Sequence, residues 1–296
     1  MSNLNRRLAF TLVTVLSTSL VSSRPAGAQK SAPYGHDRRG RLTIPVTVSG
    51  EGPFPFAVDT AAAHSVISQT LAERLKLPDS PMRAQVVGAS GHQTMRLVEC
   101  SDLRSEIFDS KDVSMAAIPI AADEGHEGVV GMDLFASGRL DVDFTSGRVT
   151  AGDSRPAHAG VFSAKAELFH GSIVIVDAKV GAVPVRAVID TGARVTAANN
   201  ALKAALGFAA GDPRLSPAEP IGGATSDRTP AEQAPVDLVS LGPARFVRPT
   251  MTFADLAIFR SLGIDDKPAI ILGIDLLSTL KQLAIDYRRS ELQIRP

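Results

Sequence analysis

Two segments of the chain carry Asp-Thr in the same setting: FAVDTAAA, with Asp59 and Thr60, and AVIDTGAR, with Asp190 and Thr191. Each pair follows an apolar run of strand character and precedes small residues, a context that delivers a carboxylate to a tight turn rather than to a solvated face. Two carboxylates held close together cannot both ionise cheaply, so they share one proton and titrate as a pair. The ionised member can take a proton from a bound water as that water attacks a carbonyl carbon. The protonated member can donate to the oxygen under attack. Such chemistry requires no metal, no cofactor and no covalent nucleophile.

Two matching turns imply a repeated scaffold, and the sequence repeats. An offset of 131 superimposes Asp59 on Asp190, Gly50 on Gly181, Pro53 on Pro184 and Ala62 on Ala193, and carries Leu71 and Leu75 onto Leu202 and Leu206. At an offset of 142, GVVGMDLF matches IILGIDLL through Gly131 and Gly273, Asp133 and Asp275, and Leu134 and Leu276; LDVDF then answers LAIDY. The change of offset places about a dozen extra residues in the second half, a length change that loops absorb. The chain reads as a leader at 1–28 and two homologous lobes at 29–150 and 161–296, joined by a linker at 151–160.

Residue patterning points to mostly sheet with short helices. RLTIPVTVSG reads as a strand, GEGP as a turn and FPFAV as the strand that delivers Asp59. SQTLAERLKLP has helical apolar spacing and stops at Pro78. RAQVVGASGHQTMRLVEC forms two extended arms around the tip Gly88, Ala89, Ser90 and Gly91, as in a hairpin. The second lobe repeats the order, with SIVIVDAKVGAVPVRAVID as strand, turn and strand and NNALKAALGF as a short helix. A Gly-rich turn at Gly222 and Gly223 follows, with a longer polar loop.

With Asp-Thr-Gly-Ala at 190–193, Asp-Thr-Ala-Ala at 59–62, and the segments Val129-Val130-Gly131 and Ile271-Leu272-Gly273, the chain resembles the aspartic proteases, most closely their retropepsin-like branch. The resemblance covers nearly the whole chain beyond the leader. It implies a mainly β fold of two retropepsin-like barrel lobes facing each other across a cleft, each lobe giving one catalytic residue, Asp59 and Asp190. Retroviral members build this from two identical chains. Here both halves are covalently joined, as in pepsin-like enzymes, so a monomer with an internal pseudo-dimer is expected.

Thr60 and Thr191 suit a supporting role, since each hydroxyl can donate to the backbone of the opposite lobe. Gly131 and Gly273 are expected to pack behind the Asp turns, where a Cβ would push the loops apart. Ala62 and Ala193 stand where pepsin-like enzymes carry Ser or Thr. Without a hydroxyl there to stabilise the ionised form, the activity optimum should lie nearer mild acid or neutral than strong acid. Two departures from the family pattern bear on activity. Ala61 stands where the second motif has Gly192: a positive φ there would cost about 1–2 kcal/mol or displace the turn, whereas a negative φ would only narrow the cleft. Arg194 follows Asp-Thr-Gly-Ala, where a guanidinium either favours the doubly ionised dyad or points outward.

In this architecture an extended peptide or protein segment can pair its backbone with the cleft strands. The hairpin tips Gly88–Gly91 and Gly222–Gly223 are the candidate flaps closing over it. Other polar residues read as structural. Asp123, Glu124, His126 and Glu127 suggest a metal but fit an exposed polar loop better, so no metal is expected. His64 reads as a local hydrogen-bonding residue, Asp133 and Asp275 as capping or structurally paired acids, and Asp143 and Asp286 as outward or turn-adjacent acids. The stretch His36–Arg41 reads as a solvated arm, and Cys100 as a small buried apolar residue.

The start of the chain has Arg6 and Arg7, an apolar stretch from Leu8 to Val21 and a small-x-small site ending at Ala28, which reads as a cleavable signal peptide for a periplasmic or secreted protein. The stretch is short for a membrane span, and none is expected later. Removing 1–28 takes away three arginines and no acid, leaving 28 basic against 31 acidic residues. So balanced a charge argues against nucleic acid as a partner. Three functions remain: an aspartic endopeptidase, a catalytically silent peptide-binding protein on the same fold, and a carboxylate-pair glycosidase. The last is disfavoured because the chain has no Trp and only two tyrosines, Tyr34 and Tyr287, for a sugar platform.

Overall fold

The computed structural model describes residues 29–135 and 137–296. The leader expected at 1–28, with its cleavage site, lies outside them. Among the described residues no helix is long and apolar enough to cross a membrane. The architecture is mainly β with a few short helices, and it is organised as three sheets.

The strand Leu42–Val48 buries Leu42, Ile44, Val46 and Val48 on one side and pairs antiparallel with Glu51–Val58. The end of Glu51–Val58 runs parallel to Gly128–Val130, with Phe56 opposite Gly128 and Val58 opposite Val130. These strands belong to an eight-stranded sheet that ends in the long hairpin Asp79–Val87 and His92–Arg104. The second half repeats the plan. Ile173–Val180 pairs antiparallel with Val183–Ile189, which runs parallel to Ala269–Leu272. Here the hairpin Ser216–Ile221 and Thr229–Pro235 forms the edge of the sheet.

Each lobe places one short helix after its Asp turn, and each helix is capped through its side chain. Ser68 accepts from the Leu71 N–H ahead of Gln69–Arg74 at 2.9 Å, and Asn199 accepts from the Leu202 N–H ahead of Asn200–Ala205 at 2.9 Å. A Ser or Asn at this position satisfies one of the free donors of the first turn. Leu71 and Leu202, equivalent in the repeat, are fully buried beneath these helices.

The third sheet joins the halves. Its six strands include Lys30–Pro33, Arg148–Gly152 and Arg139–Asp143 from the first half and Gln282–Asp286, Glu291–Arg295 and Phe162–Lys165 from the second. The seam is antiparallel, with Arg139 opposite Asp286 and Asp143 opposite Gln282. Because side chains alternate across a strand, Leu140, Val142, Leu283, Ile285, Leu292 and Ile294 form one apolar, fully buried face. The other face is buried and ionic. Arg139 donates to both oxygens of Asp141 at 2.8 Å and to Gln293 at 2.8 Å, and the backbone N–H of Arg155 donates to Asp286 at 2.8 Å. Asp286 is turn-adjacent, accepting from the Arg289 N–H at 3.1 Å, but it is fully buried rather than outward, because the segment after the first half folds back over this face. Asp143 is turn-adjacent and accepts from the Thr145 and Ser146 N–H groups.

Candidate active site

The parallel strand pairs carry the two Asp-Thr turns to the boundary between the lobes. The Asp59 N–H donates to Val130 O at 3.2 Å and the Asp190 N–H to Leu272 O at 3.1 Å, so each turn hangs on its own Gly-ended strand. Gly131 and Gly273 close in behind. A Cβ on Gly131 would strike the His64 carbonyl and the Ser65 nitrogen, and one on Gly273 would lie 2.8 Å from the Val195 carbonyl.

The two turns are locked by a reciprocal threonine exchange. Thr60 donates its hydroxyl to Ile189 O at 2.7 Å and accepts from the Thr191 N–H at 3.1 Å. Thr191 donates to Val58 O at 2.6 Å and accepts from the Thr60 N–H at 3.2 Å. Both threonines are buried. Four hydrogen bonds therefore cross between the lobes, each completing a backbone group that would otherwise be left unpaired.

Asp59 and Asp190 face each other within hydrogen-bonding reach, reachable at the surface yet closely surrounded by protein. Asp59 Oδ1 accepts from the Ala61 N–H at 2.8 Å; Asp190 Oδ1 accepts from the Gly192 N–H at 2.8 Å and the Ala193 N–H at 2.9 Å. Desolvation raises both carboxyls above their ordinary range, and the charge of Asp59 pushes Asp190 well above it. Carboxyls so placed oppose each other's ionisation.

The departures Ala61 and Arg194 are accommodated. Ala61 has a negative φ, so its methyl carries no left-handed strain, and it packs against an apolar cluster of the second lobe that includes Ile173 and Val188. Gly192 also has a negative φ, and it is constrained by space: a Cβ there would run into the Asp59 carboxyl. Arg194 is exposed, and its guanidinium pairs with Glu219 on the strand Ser216–Ile221. Glu219 also accepts from Arg39 at 3.0 Å, which ties the first lobe to the second-lobe hairpin.

The hairpin tips meet each other. Gly88 and Gly91 close the first tip through an N–H to O bond of 2.9 Å. Ser90 then donates to Ile221 O at 2.7 Å, and Ala89 O accepts from the Ile258 N–H at 3.2 Å. Gly223 sits against Ala89, and beside it Ala224 packs on a first-lobe cluster of Met95, Leu97, Ala116 and Ile118. Ile221 shares its own cluster with Ala61 and Ala193, so the joined tips stand beside the Asp turns. Gly222 lies next to the Arg228 side chain.

Behind the turns lies a symmetric set of hydroxyls that sequence reasoning missed. Asp133 accepts from Ser65 N–H and Oγ at 3.0 and 2.9 Å, and Ser65 Oγ accepts from the Gly131 N–H. Asp275 accepts from Thr196 N–H and Oγ1 at 3.0 and 2.8 Å, and Thr196 Oγ1 accepts from the Gly273 N–H. These acids are structurally paired and do not cap a helix with their side chains. The signal was present, since Ser65 and Thr196 also fall at the offset of 131.

Two segments depart from the solvated character expected of them. Asp37 and His126 are buried, and both meet the half-buried Arg41. Arg41 donates to Asp37 Oδ2 at 2.6 Å and to Glu124, and His126 Nδ1 lies 3.2 Å from Asp37 Oδ2. Burial opposes ionisation of Asp37, but the Arg41 guanidinium outweighs it and holds that carboxyl below its usual range. Burial, and then Arg41, lowers His126. The ligand atoms of Asp37, Glu124 and His126 lie within 4.8 Å of one another, and the cation among them is Arg41. Asp37 and Arg41 pair locally, four residues apart, and it is Glu124 and His126, brought to them across the fold, that local sequence does not reveal. Of the remaining candidates, His64 is exposed, and Cys100 is buried, its thiol pushed up to about 12 chiefly by burial.

Comparison with known proteins agrees with this geometry. A family model described as aspartyl protease matches residues 44–134 and 176–276, one segment in each half, and each match includes an Asp-Thr turn and its Gly-ended strand. No curated protein matches the chain. Two tandem matches that together span well over half of the sequence place the chain in the aspartyl protease family, as a member with both lobes in one polypeptide.

Proposed function

We propose that the chain is an aspartic endopeptidase that hydrolyses peptide bonds with a water activated by Asp59 and Asp190. The observation that carries this function is the approach of two desolvated carboxyls, one from each lobe, to within hydrogen-bonding reach. In the singly protonated pair, the ionised carboxyl accepts a proton from water as the water oxygen bonds to the peptide carbonyl carbon. The protonated carboxyl donates to the carbonyl oxygen, giving a tetrahedral diol. Collapse of the diol breaks the C–N bond, the leaving amine takes up a proton, and the dyad returns with one proton.

The threonine exchange supports the reaction by fixing the distance between the carboxyls, and positional error at this level is costly to rate. The hairpin tips at Gly88–Gly91 and Gly222–Gly223 fit the role of flaps over an extended peptide. Both carboxyls are raised, so the singly protonated form should persist to milder pH than in ordinary acids, and the optimum is expected between mild acid and neutral. The features that favoured a silent peptide-binding protein lose force, since Ala61 is unstrained and Arg194 is engaged by Glu219. We assign residues 29–150 and 161–296 to the two lobes, 151–160 to the linker and 1–28 to a leader cleaved after Ala28. On this reading the enzyme acts as a monomer in the periplasm or outside the cell.

Incubation of the processed protein with a mixed peptide library from pH 3 to pH 8, read by mass spectrometry, tests the proposal. Cuts that vanish in both Asp59→Asn and Asp190→Asn are expected. Folded protein that binds peptides without cutting any of them would establish the silent alternative.

A further inference from the structure

The two halves of the site are not electrostatically equivalent. In the first lobe the strands Leu42–Val48 and Glu51–Val58 pair with Thr43 opposite Ala57. Two residues outward from that pair stand Arg41 on one strand's approach and Asp59 at the other's exit. In the second lobe, Ile175 stands opposite Val188, and two residues outward stand Ile173 and Asp190. Ile173 is buried and apolar. The strand beside the Asp59 turn is therefore entered through an arginine, and the strand beside the Asp190 turn through an isoleucine.

We propose that Arg41 is a positioning residue that makes the dyad unequal, keeping the negative charge on Asp59 and the shared proton on Asp190. This rests on the dyad assigned above and adds a fixed direction to it: Asp59 takes the proton from water and Asp190 donates to the substrate carbonyl. The amide donors do not account for the bias, because Asp190 accepts at least as many of them as Asp59.

Arg41 is held in place by Asp37 and Glu124, while Arg39, which pairs with Glu124 at 3.0 Å and with Glu219, supplies the balancing cation. His126 completes the cluster, and burial, then Arg41, holds its pKa below the usual histidine range against the opposing pull of Asp37 and Glu124. The phenol of Tyr287 is raised by burial and then by the charge of Asp59, so it stays neutral. Arg41 also acts to lower Asp59, whereas Asp59 acts to raise Asp190. Positions 266 and 268, equivalent to Glu124 and His126 at the offset of 142, are Asp266 and Pro268. With Ile173 in place of the arginine, the second lobe has no matching cluster.

The test needs no turnover. Each carboxyl is titrated alone by carboxyl-carbon NMR, Asp59 in Asp190→Asn and Asp190 in Asp59→Asn. The lone Asp59 is expected to titrate about one pH unit or more below the lone Asp190. The gap should close when Arg41→Gln and Glu124→Gln are introduced together, a pair that removes one charge of each sign. Arg41→Lys preserves the cation and its ion pairs and should keep the gap; it decides the matter if the double variant does not fold. Equal titration of the two lone carboxyls, a gap that survives the double variant, or a gap lost in Arg41→Lys would each overturn the role of Arg41. Failure to cleave peptides, with the gap intact, would count against the protease function and leave this inference standing.

Discussion

Replacing Thr191 with valine removes a hydroxyl while preserving the shape of the side chain, and the structure sets the size of the effect. The hydroxyl donates to Val58 O at 2.6 Å and accepts from the Thr60 N–H at 3.2 Å. Thr191 is fully buried, so water cannot replace either bond without the lobes moving apart. Each orphaned backbone group costs about 1–3 kcal/mol. Two of them cost about 2–6 kcal/mol, a large share of the roughly 5–15 kcal/mol that holds a typical domain folded. For lobes of this size the melting temperature should fall by about 5–25 °C. Thr191→Ser keeps the hydroxyl and loses only a methyl, at about 1 kcal/mol. Urea and thermal unfolding of the three proteins, read by circular dichroism, measure the difference, and peptide cleavage should fall more in the Val variant than in the Ser variant. A Val variant as stable and as active as the Ser variant would refute the threonine exchange as the lock between the lobes.

Three further outcomes follow from the same geometry. The raised carboxyl of Asp190 contributes stability that is present below its unfolded value near 4 and is lost as pH rises through its higher folded value. Asp190→Asn should therefore raise the melting temperature at pH 7–8 and bring little gain at pH 3; an equal gain at both would contradict the desolvated dyad. Gly192→Ala drives a methyl into the Asp59 carboxyl and should cost about a hundredfold or more in cleavage, whereas Ala61→Gly should change it by less than about fivefold. Equal effects would show that the two turns are alike. Cys100, buried with its thiol raised to about 12, should resist thiol reagents at pH 8 until urea unfolds the protein.

Much of the architecture was legible because the repeat was legible. Asp59 and Asp190, Leu71 and Leu202, and Gly131 and Gly273 recur at fixed offsets, and each pair occupies matching positions in the two lobes. Local patterning also found the helices after Ser68 and Asn199, since a capping side chain followed by helical spacing is a short-range signal. What sequence could not supply was register and long-range pairing. Arg41 lies 18 positions before Asp59, and only the hairpin register brings the two to the same end of the strand pair. Asp37 is buried because Glu124 and His126 come to it from a distant loop, and Asp286 because residues after the first half fold over the six-stranded sheet. Local hydrophilicity reads such residues as solvated: Arg41, the cation on Asp37, is only four positions away, but the segments that cover these acids are far along the chain. The state of Ala61 was likewise a question of one dihedral angle, which the residue type leaves open.

The central claim is that Asp59 and Asp190 act as one unit on one water. Cleavage of a single peptide, chosen from the library and assayed at its optimal pH, should be measured for Asp59→Asn, Asp190→Asn and the double variant, with folding of each verified by its melting curve. Groups that act as a unit lose their function together. The two single variants are expected to lose nearly all kcat/KM, and the double variant to lose no more than either. Substantial activity in one single variant, or losses that multiply in the double, would contradict a shared dyad.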